Sequence, residues 1–317
     1  MDNQKVVVLN AAKMNYDGLL DFSILSPETV VYEDSAPEEI PARIQGACAV
    51  VTKELPVPAE MIAQFPDSVK LICEAGTGYN NIAIDAAKER GITVCNVPAY
   101  SSQRVAHTVV MMMLNLSSAM QRQIKMLALG DRSNFTDHLQ VPHVELNGKT
   151  LGVVGFGNIG RQVIRIGQAL EMRTLCYTRT KRPDEDGISF VSLETLLRES
   201  DYVSLHCPLN DGTRHMINAQ TLALMKPTAF LINTSRGGLV DEAALIRALE
   251  DKKIAGAGLD VQETEPPAAD NPLYTLDNVV LTPHMGWKGL ETRQRLVGVV
   301  AEDIRGFFEG KPVNVVN

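Results

Sequence analysis

No two cysteines in this 317-residue sequence stand in C-x-x-C spacing, and only five are present: Cys48, Cys73, Cys95, Cys176 and Cys207. That removes the common zinc and dithiol signatures and gives no basis for a disulfide framework. All five lie in short apolar, strand-like runs, so reduced cysteines filling core space are expected, and no metal site. Any run of about 18 apolar residues is also missing, and no transmembrane helix is predicted. The first strand-like run opens at Lys5, which leaves no room for a signal peptide, so a cytoplasmic location is expected. Basic charge is in deficit: 30 Lys and Arg stand against 38 Asp and Glu, for a net charge of −8. That balance argues against nucleic acid or an anionic membrane as the main partner. No internal repeat or low-complexity tract is visible. What is left is ordinary globular composition, 45% hydrophobic and 21% charged, in a chain long enough for two domains.

The chain reads as two series of strands alternating with helices. The first holds "KVVVLN", "TVVYE", "ACAVVT", "VKLICEAG" and "ITVCNV"; Gly91 is a candidate helix C-cap within it. The second, after Gly148, holds "TLGVVG", "RTLCYT", "DYVSLHC", "AFLINTS", "IAGAGLDV" and "NVVLTPH". Strands alternating with helices predict parallel sheets covered on both faces, hence two doubly wound α/β domains with the ligand cleft between them. Residues 101–130 predict a long helix with Ser101 or Ser102 as N-cap. Its consecutive Met111, Met112 and Met113 suggest a helix apolar all round, buried in a core or a subunit contact. Residues 131–147 read as an extended loop. A final amphipathic helix over 288–312 is long enough to carry the chain back to the first domain. The predicted organisation is therefore a discontinuous substrate domain, 1–98 with 289–317, around a dinucleotide-binding domain, 99–288.

Gly155, Gly157 and Gly160 form G-x-G-x-x-G between strand "TLGVVG" and helix "NIGRQVIRIGQAL". In that context the glycines permit a tight turn and let a pyrophosphate approach the helix N-terminus. The acid expected roughly 20 residues later, which would accept bonds from the adenosine ribose, is absent. Thr178, Arg179, Thr180, Lys181 and Arg182 stand there instead. Hydroxyls and a guanidinium reverse the preference toward a 2′-phosphate, so the site reads as intact and suited to NADP, with NAD(H) possible.

Reduction of a ketone by hydride transfer needs a group that orients the substrate, one that stabilises charge on the carbonyl oxygen and one that donates a proton. Candidates fall just after three strand-like runs: Arg236 in "NTSRGG", Glu265 in "DVQETEPP" and His284 in "LTPHMGW". The other five histidines, His107, His138, His143, His206 and His215, mostly read as structural or solvated.

The blocks "LGVVGFGNIGRQV", "LLRESDYVSLHCPL", "MKPTAFLINTSRGGLVDEAAL" and "GLDVQETEPP" with "LTPHMGW" resemble the D-isomer-specific 2-hydroxyacid dehydrogenases over nearly the whole chain. The resemblance implies a Rossmann cofactor domain and a flavodoxin-like substrate domain. It implies that Arg236 binds the substrate carboxylate and carbonyl, that His284 is the general acid/base and that Glu265 orients it. Gly76, Thr77 and Gly78 would bind the substrate carboxylate through backbone N–H groups, with Trp287 also at the substrate. Asn158 and Ile159 would join the glycines on the pyrophosphate. His206, Pro208 and Thr213 would line the dinucleotide site, as would Thr234 and Ser235, while Asp260 would hold the nicotinamide carboxamide. "TPHMGW" and "YTRTKRP" are similar to the glycerate dehydrogenase and hydroxypyruvate (glyoxylate) reductase branch and its NADP-dependent members. Two residues depart from the family pattern: His107, where Glu or Gln is usual, and Ala83, where Asp is usual. The expected activity is NADPH-dependent reduction of a small 2-keto acid, hydroxypyruvate or glyoxylate, to the D-hydroxy acid, by a homodimer joined through the apolar 101–129 segment. A phosphite dehydrogenase and a dinucleotide-sensing, corepressor-like binding protein are the alternatives; the retained Arg/Glu/His set disfavours the second.

Overall fold

The computed structural model describes residues 4–317. Its first five strands are β1 Val6–Val8, β2 Thr29–Val31, β3 Ala49–Thr52, β4 Leu71–Glu74 and β5 Thr93–Cys95. They form one parallel sheet in the order β2-β1-β3-β4-β5. Successive strand residues point to opposite faces. Val6, Val8, Val51 and Cys73 thus enter one core, and Val7, Val50, Ile72 and Val94 the other. Because both faces are covered, these strands read as unbroken apolar runs rather than alternating ones. The last helix, Leu290–Phe308, covers the first face with Leu296, Val297, Val300 and Ile304. It is shorter than the predicted 288–312, and Gly310 follows it in the left-handed region at φ 74°.

A second sheet holds β6 Thr150–Val154, β7 Arg173–Tyr177, β8 Ile188–Phe190, β9 Tyr202–Leu205, β10 Phe230–Asn233, β11 Gly256–Leu259 and β12 Val279–Leu281. Its order is β12-β11-β10-β9-β6-β7-β8, and all its pairings are parallel. The three-residue edge strand β8 was not among the predicted runs. "ISF" is too short to show a period and follows the polar turn 181–187.

The chain divides into two compact units, one running to Ser101 and resuming at Trp287–Asn317, the other Ser102–Gly286. In the second, the predicted 101–130 helix is two helices, Ser102–Ser118 and Met120–Ala128, broken where Ala119 adopts φ 47°. The expectation of a helix buried all round is corrected as well. Met112 and Met113 pack against the sheet in a core with Leu151, Val153 and Ile232, Met111 is half-buried, and Leu114 is 49% exposed. Within the expected loop 131–147 there is a single helical turn, Ser133–Thr136. The five cysteines form no disulfide; Cys73, Cys95 and Cys176 are buried. Among the described residues no helix is long and apolar enough to cross a membrane, and no cluster of His, Cys, Asp and Glu could hold a metal ion.

Candidate active site

In a parallel sheet all strand C-termini share one edge. In this sheet the chain winds outward from β6 through β7 to β8, then crosses to β9 and winds the other way. The edge beside such a reversal is where doubly wound sheets bind ligands. Gly155 follows β6, Thr178 follows β7, His206 follows β9, Thr234–Arg236 follow β10, Asp260 follows β11 and His284 closes the turn after β12.

The three glycines of the first turn have three separate reasons. Gly155 has φ 106°, and a Cβ there would lie 2.6 Å from the His206 carbonyl oxygen; one on Gly160 would lie 2.1 Å from the Gly155 oxygen. Gly157 caps the helix Asn158–Ala169 without a side-chain bond, and nothing lies within 4 Å of its missing Cβ. The first and third glycines let backbones pack; the second leaves open the approach to the helix N-terminus, where anions are stabilised. Asn158 and half-buried Ile159 form the first turn.

Past β7, Thr178 donates its hydroxyl to the Thr180 carbonyl at 2.6 Å, while Arg179 and Thr180 are exposed. Arg182 pairs with Glu185 at 3.3 Å and stands 5.0 Å from the Phe156 ring centre. Arg161, not singled out from the sequence, stacks on that same ring at 3.9 Å. The signal for it was spacing: it lies four residues after Gly157, one turn along the same helix face.

His206 bonds Ser204 Oγ through Nε2 at 2.8 Å, and burial pushes its pKa down to about 3, so the ring is neutral. Its Nδ1 and the Thr234 hydroxyl are buried with no partner among the described residues. Buried polar atoms without partners are costly unless a ligand satisfies them, and an open glycine cradle with two such atoms nearby along the sheet edge fits a dinucleotide. Thr213 ties its own loop by donating to the Pro208 carbonyl at 2.7 Å, and Ser235 donates to the Leu205 carbonyl at 2.8 Å.

His284 Nδ1 lies 2.8 Å from Glu265 Oε2, with both side chains about one-third exposed (31% and 35%). A carboxylate only accepts, so Nδ1 carries the hydrogen in this pair, and Nε2 is left as the nitrogen that can deliver or take a proton. His284 sits at φ 48°, an uncommon backbone for a non-glycine residue. Asp260 holds it there. Its buried carboxylate accepts from Thr282 Oγ1 at 2.5 Å, from Met285 N–H at 2.9 Å and from Gly286 N–H at 2.8 Å, and its carbonyl accepts from His284 N–H. Asp260 is thus a clasp for the histidine turn, a role that reading the sequence missed.

Arg236 is exposed, donates to the Ser235 carbonyl at 2.7 Å, and has no carboxylate of the described residues within ion-pairing distance. The Asn233 side chain grips its turn, donating to the Arg236 carbonyl and accepting from Ser235 N–H. A Cβ on Gly237 would lie 1.8 Å from the Gln262 carbonyl oxygen. Only glycine lets the arginine turn and the Glu265 loop lie this close, which sets the two candidate side chains side by side.

Gly76, Thr77, Gly78 and Trp287 belong to the other unit. Thr77 Oγ1 donates to the Val97 carbonyl, and its own carbonyl accepts from Asn96 Nδ2 at 2.7 Å. Trp287 is buried, with the Lys53 ammonium 4.3 Å from its ring centre.

The family model for the D-isomer specific 2-hydroxyacid dehydrogenase NAD binding domain matches residues 110–286. A hydroxypyruvate reductase of Blautia hydrogenotrophica is 36% identical, covering 99% of each chain. The crystal structure of a glyoxylate reductase from Paecilomyes thermophila superposes with a TM-score of 0.85 at 32% identity, covering 100% of this chain and 99% of that one. An NADPH-dependent glyoxylate/hydroxypyruvate reductase from Sinorhizobium meliloti, solved with NADP and malonate, gives 0.83 at 27% identity, covering 99% and 97%. With two parallel α/β domains and likeness that spans the chain from end to end, the protein belongs to the D-isomer-specific 2-hydroxyacid dehydrogenase family.

Proposed function

We propose that this enzyme reduces a small 2-keto acid, hydroxypyruvate or glyoxylate, to the D-2-hydroxy acid, and that it prefers NADPH to NADH. The observation that carries the reading is the His284–Glu265 pair, 2.8 Å apart at the sheet edge that also bears the glycine cradle and Arg236. The names of the relatives support the substrate class, and Thr178-Arg179-Thr180 supports the cofactor. The unit Ser102–Gly286 is assigned to the dinucleotide and the other unit to the substrate. When bound, the dinucleotide supplies the hydride. Arg236 grips the substrate carboxylate and polarises its carbonyl, and Gly76, Thr77, Gly78 and Trp287 are assigned to substrate binding. His284 Nε2 gives its proton to the carbonyl oxygen as that oxygen becomes a hydroxyl, while Glu265 holds the ring and balances its charge. Thr178, Arg179, Thr180 and Arg182 bind the 2′-phosphate. Exposed Met120, Ile124, Leu127 and Phe135 support a homodimer, proposed to be cytoplasmic.

The test is NADPH oxidation with a panel of 2-keto acids, for the wild type and His284→Ala. The variant is expected to lose about 10²–10⁴-fold in rate, the usual span for a general acid, while binding NADPH as before by fluorescence titration. Absence of turnover with every keto acid, or a variant as fast as the wild type, would sink the reading.

A further inference from the structure

A second histidine–carboxylate pair joins the loop that carries Glu265 to a segment 48 residues earlier. His215 Nε2 lies 2.6 Å from Glu263 Oε1. Glu263 and Glu242 then exchange bonds: Glu263 N–H donates to Glu242 Oε2 at 3.1 Å, and Glu242 N–H donates to Glu263 Oε2 at 3.4 Å. Glu242 opens the helix Glu242–Glu250, so Glu263 also satisfies a backbone donor that the helix itself leaves over. Oε1 of Glu242 accepts from Asn271 Nδ2 at 2.7 Å, tying down the far end of the same loop. On its other side His215 is anchored through its N–H to the Gly238 carbonyl, one residue past the glycine that abuts Gln262. Inside the loop, Gln262 N–H donates to Glu265 Oε1 at 3.1 Å, so the path of residues 262–263 is passed directly to the carboxylate that holds His284.

We propose that Glu263, held between His215 and the Glu242 helix start, is a positioning residue that fixes where the Glu265 carboxylate meets His284. Glu263 touches neither substrate nor cofactor in this account. It acts through Glu265, two residues on, and through the Gln262 peptide, and the proposal rests on the reading of His284 as proton donor. Two carboxylates, Glu263 on the loop and Glu242 on the helix, are each tied by a backbone N–H from the other segment, and His215 adds a third tie.

The experiment is a double-mutant cycle between positions 263 and 265, read as kcat, keto-acid KM and NADPH affinity on the full chain. Misplacement of a catalytic group by about 1 Å costs up to about a hundredfold in rate. Glu263→Ala is therefore expected to lower kcat by about ten- to a hundredfold, with less than about a twofold change in KM, the pattern of an interaction needed only in the transition state. Glu263→Gln, which keeps one acceptor oxygen for His215, is expected to recover part of the loss. In the Glu265→Gln background, Glu263→Ala is expected to slow the enzyme by less than about twofold further, because coupled residues are not additive. If Glu263→Ala does not fold, His215→Ala and Glu263→Gln carry the same cycle. Equal losses from the position-263 or His215 change in both backgrounds, or an effect on KM instead of kcat, would overturn the brace while leaving the proton-donor reading intact. A wild-type rate in Glu265→Gln itself would overturn that reading and the brace with it.

Discussion

An arginine and an aspartate at the end of β7 would make opposite demands on the cofactor. Arg179 is exposed, which the proposed 2′-phosphate role requires, and the hydroxyl of Thr178 is turned toward Thr180. A charge-assisted bond contributes about 1.5–3 kcal/mol, or roughly ten- to a hundredfold in affinity. The wild type is expected to favour NADPH by at least about tenfold in kcat/KM, and Thr178→Asp with Arg179→Ala to erase or reverse that ratio. Steady-state kinetics with both cofactors decides; a wild type that favours NADH would remove the phosphate role of this turn. A second residue links protonation to stability. Asp303 is fully buried; its Oδ1 accepts from Asn314 Nδ2 at 2.7 Å, and its Oδ2 has no partner among the described residues. Burial pushes its pKa up from 3.8 to about 6, with the nearby Glu302 charge adding to the effect. A carboxyl raised in the folded state favours folding while protonated. Its penalty is absent below about pH 4, grows as pH rises through the gap and levels off above about 6. That gap corresponds to about 3 kcal/mol at most. Asp303→Asn is expected to raise Tm relative to the wild type more at pH 7.5 than at pH 4.5. Parallel Tm curves for the two proteins would show that the group does not titrate in this range.

Among the elements, the helix Ile84–Glu89 begins poorly. Ala83 stands at its N-cap and supplies no side-chain bond, although Asp85 places one acid in the first turn. An Asp, Asn, Ser or Thr at an N-cap stabilises by about 0.5–2 kcal/mol over Ala. Ala83→Asp is expected to raise Tm by about 2–4 °C for each kcal/mol gained, without changing kcat. A fall in Tm on thermal melting would mean that half-buried position 83 has no room for the carboxylate. The elements also mark the limit of what residues reveal in order. Both parallel sheets could be read from apolar runs, because strands covered on two faces carry no polar alternation to mislead. The glycine turn was legible because its strand and helix flank it directly. The break at Ala119 was not, since nothing about alanine announces a left-handed residue. Asp260 as the clasp of the His284 turn and Gly237 as the seat of Gln262 were equally hidden. Both depend on which segments 22 to 26 positions apart pack together, and local pattern does not carry that information.

For the whole molecule, eight of the fifteen exposed large apolar side chains of the described residues lie between Leu114 and Val144. Ile124 is 59% exposed, Leu127 49%, Leu129 77% and Phe135 79%. Exposed apolar clusters of this kind mark association surfaces. Ile124→Asp with Leu127→Asp is expected to convert the proposed homodimer to a monomer in sedimentation velocity; a wild type that sediments as a monomer would remove that proposal. The interrupted unit also bears on how the protein is made. Its five strands are complete once Cys95 has been synthesised, yet Leu296, Val297, Val300 and Ile304, which close one face of that sheet, come last. The entire Ser102–Gly286 unit is translated in between. At about 5–20 residues per second, the ribosome takes about 10–40 s to bridge that gap. Through that interval the apolar core on that face lacks the residues of the final helix, while the inserted unit is contiguous in sequence. The order of synthesis therefore lets the inserted unit be complete before the first one, whose apolar core is finished only when the final helix has been made.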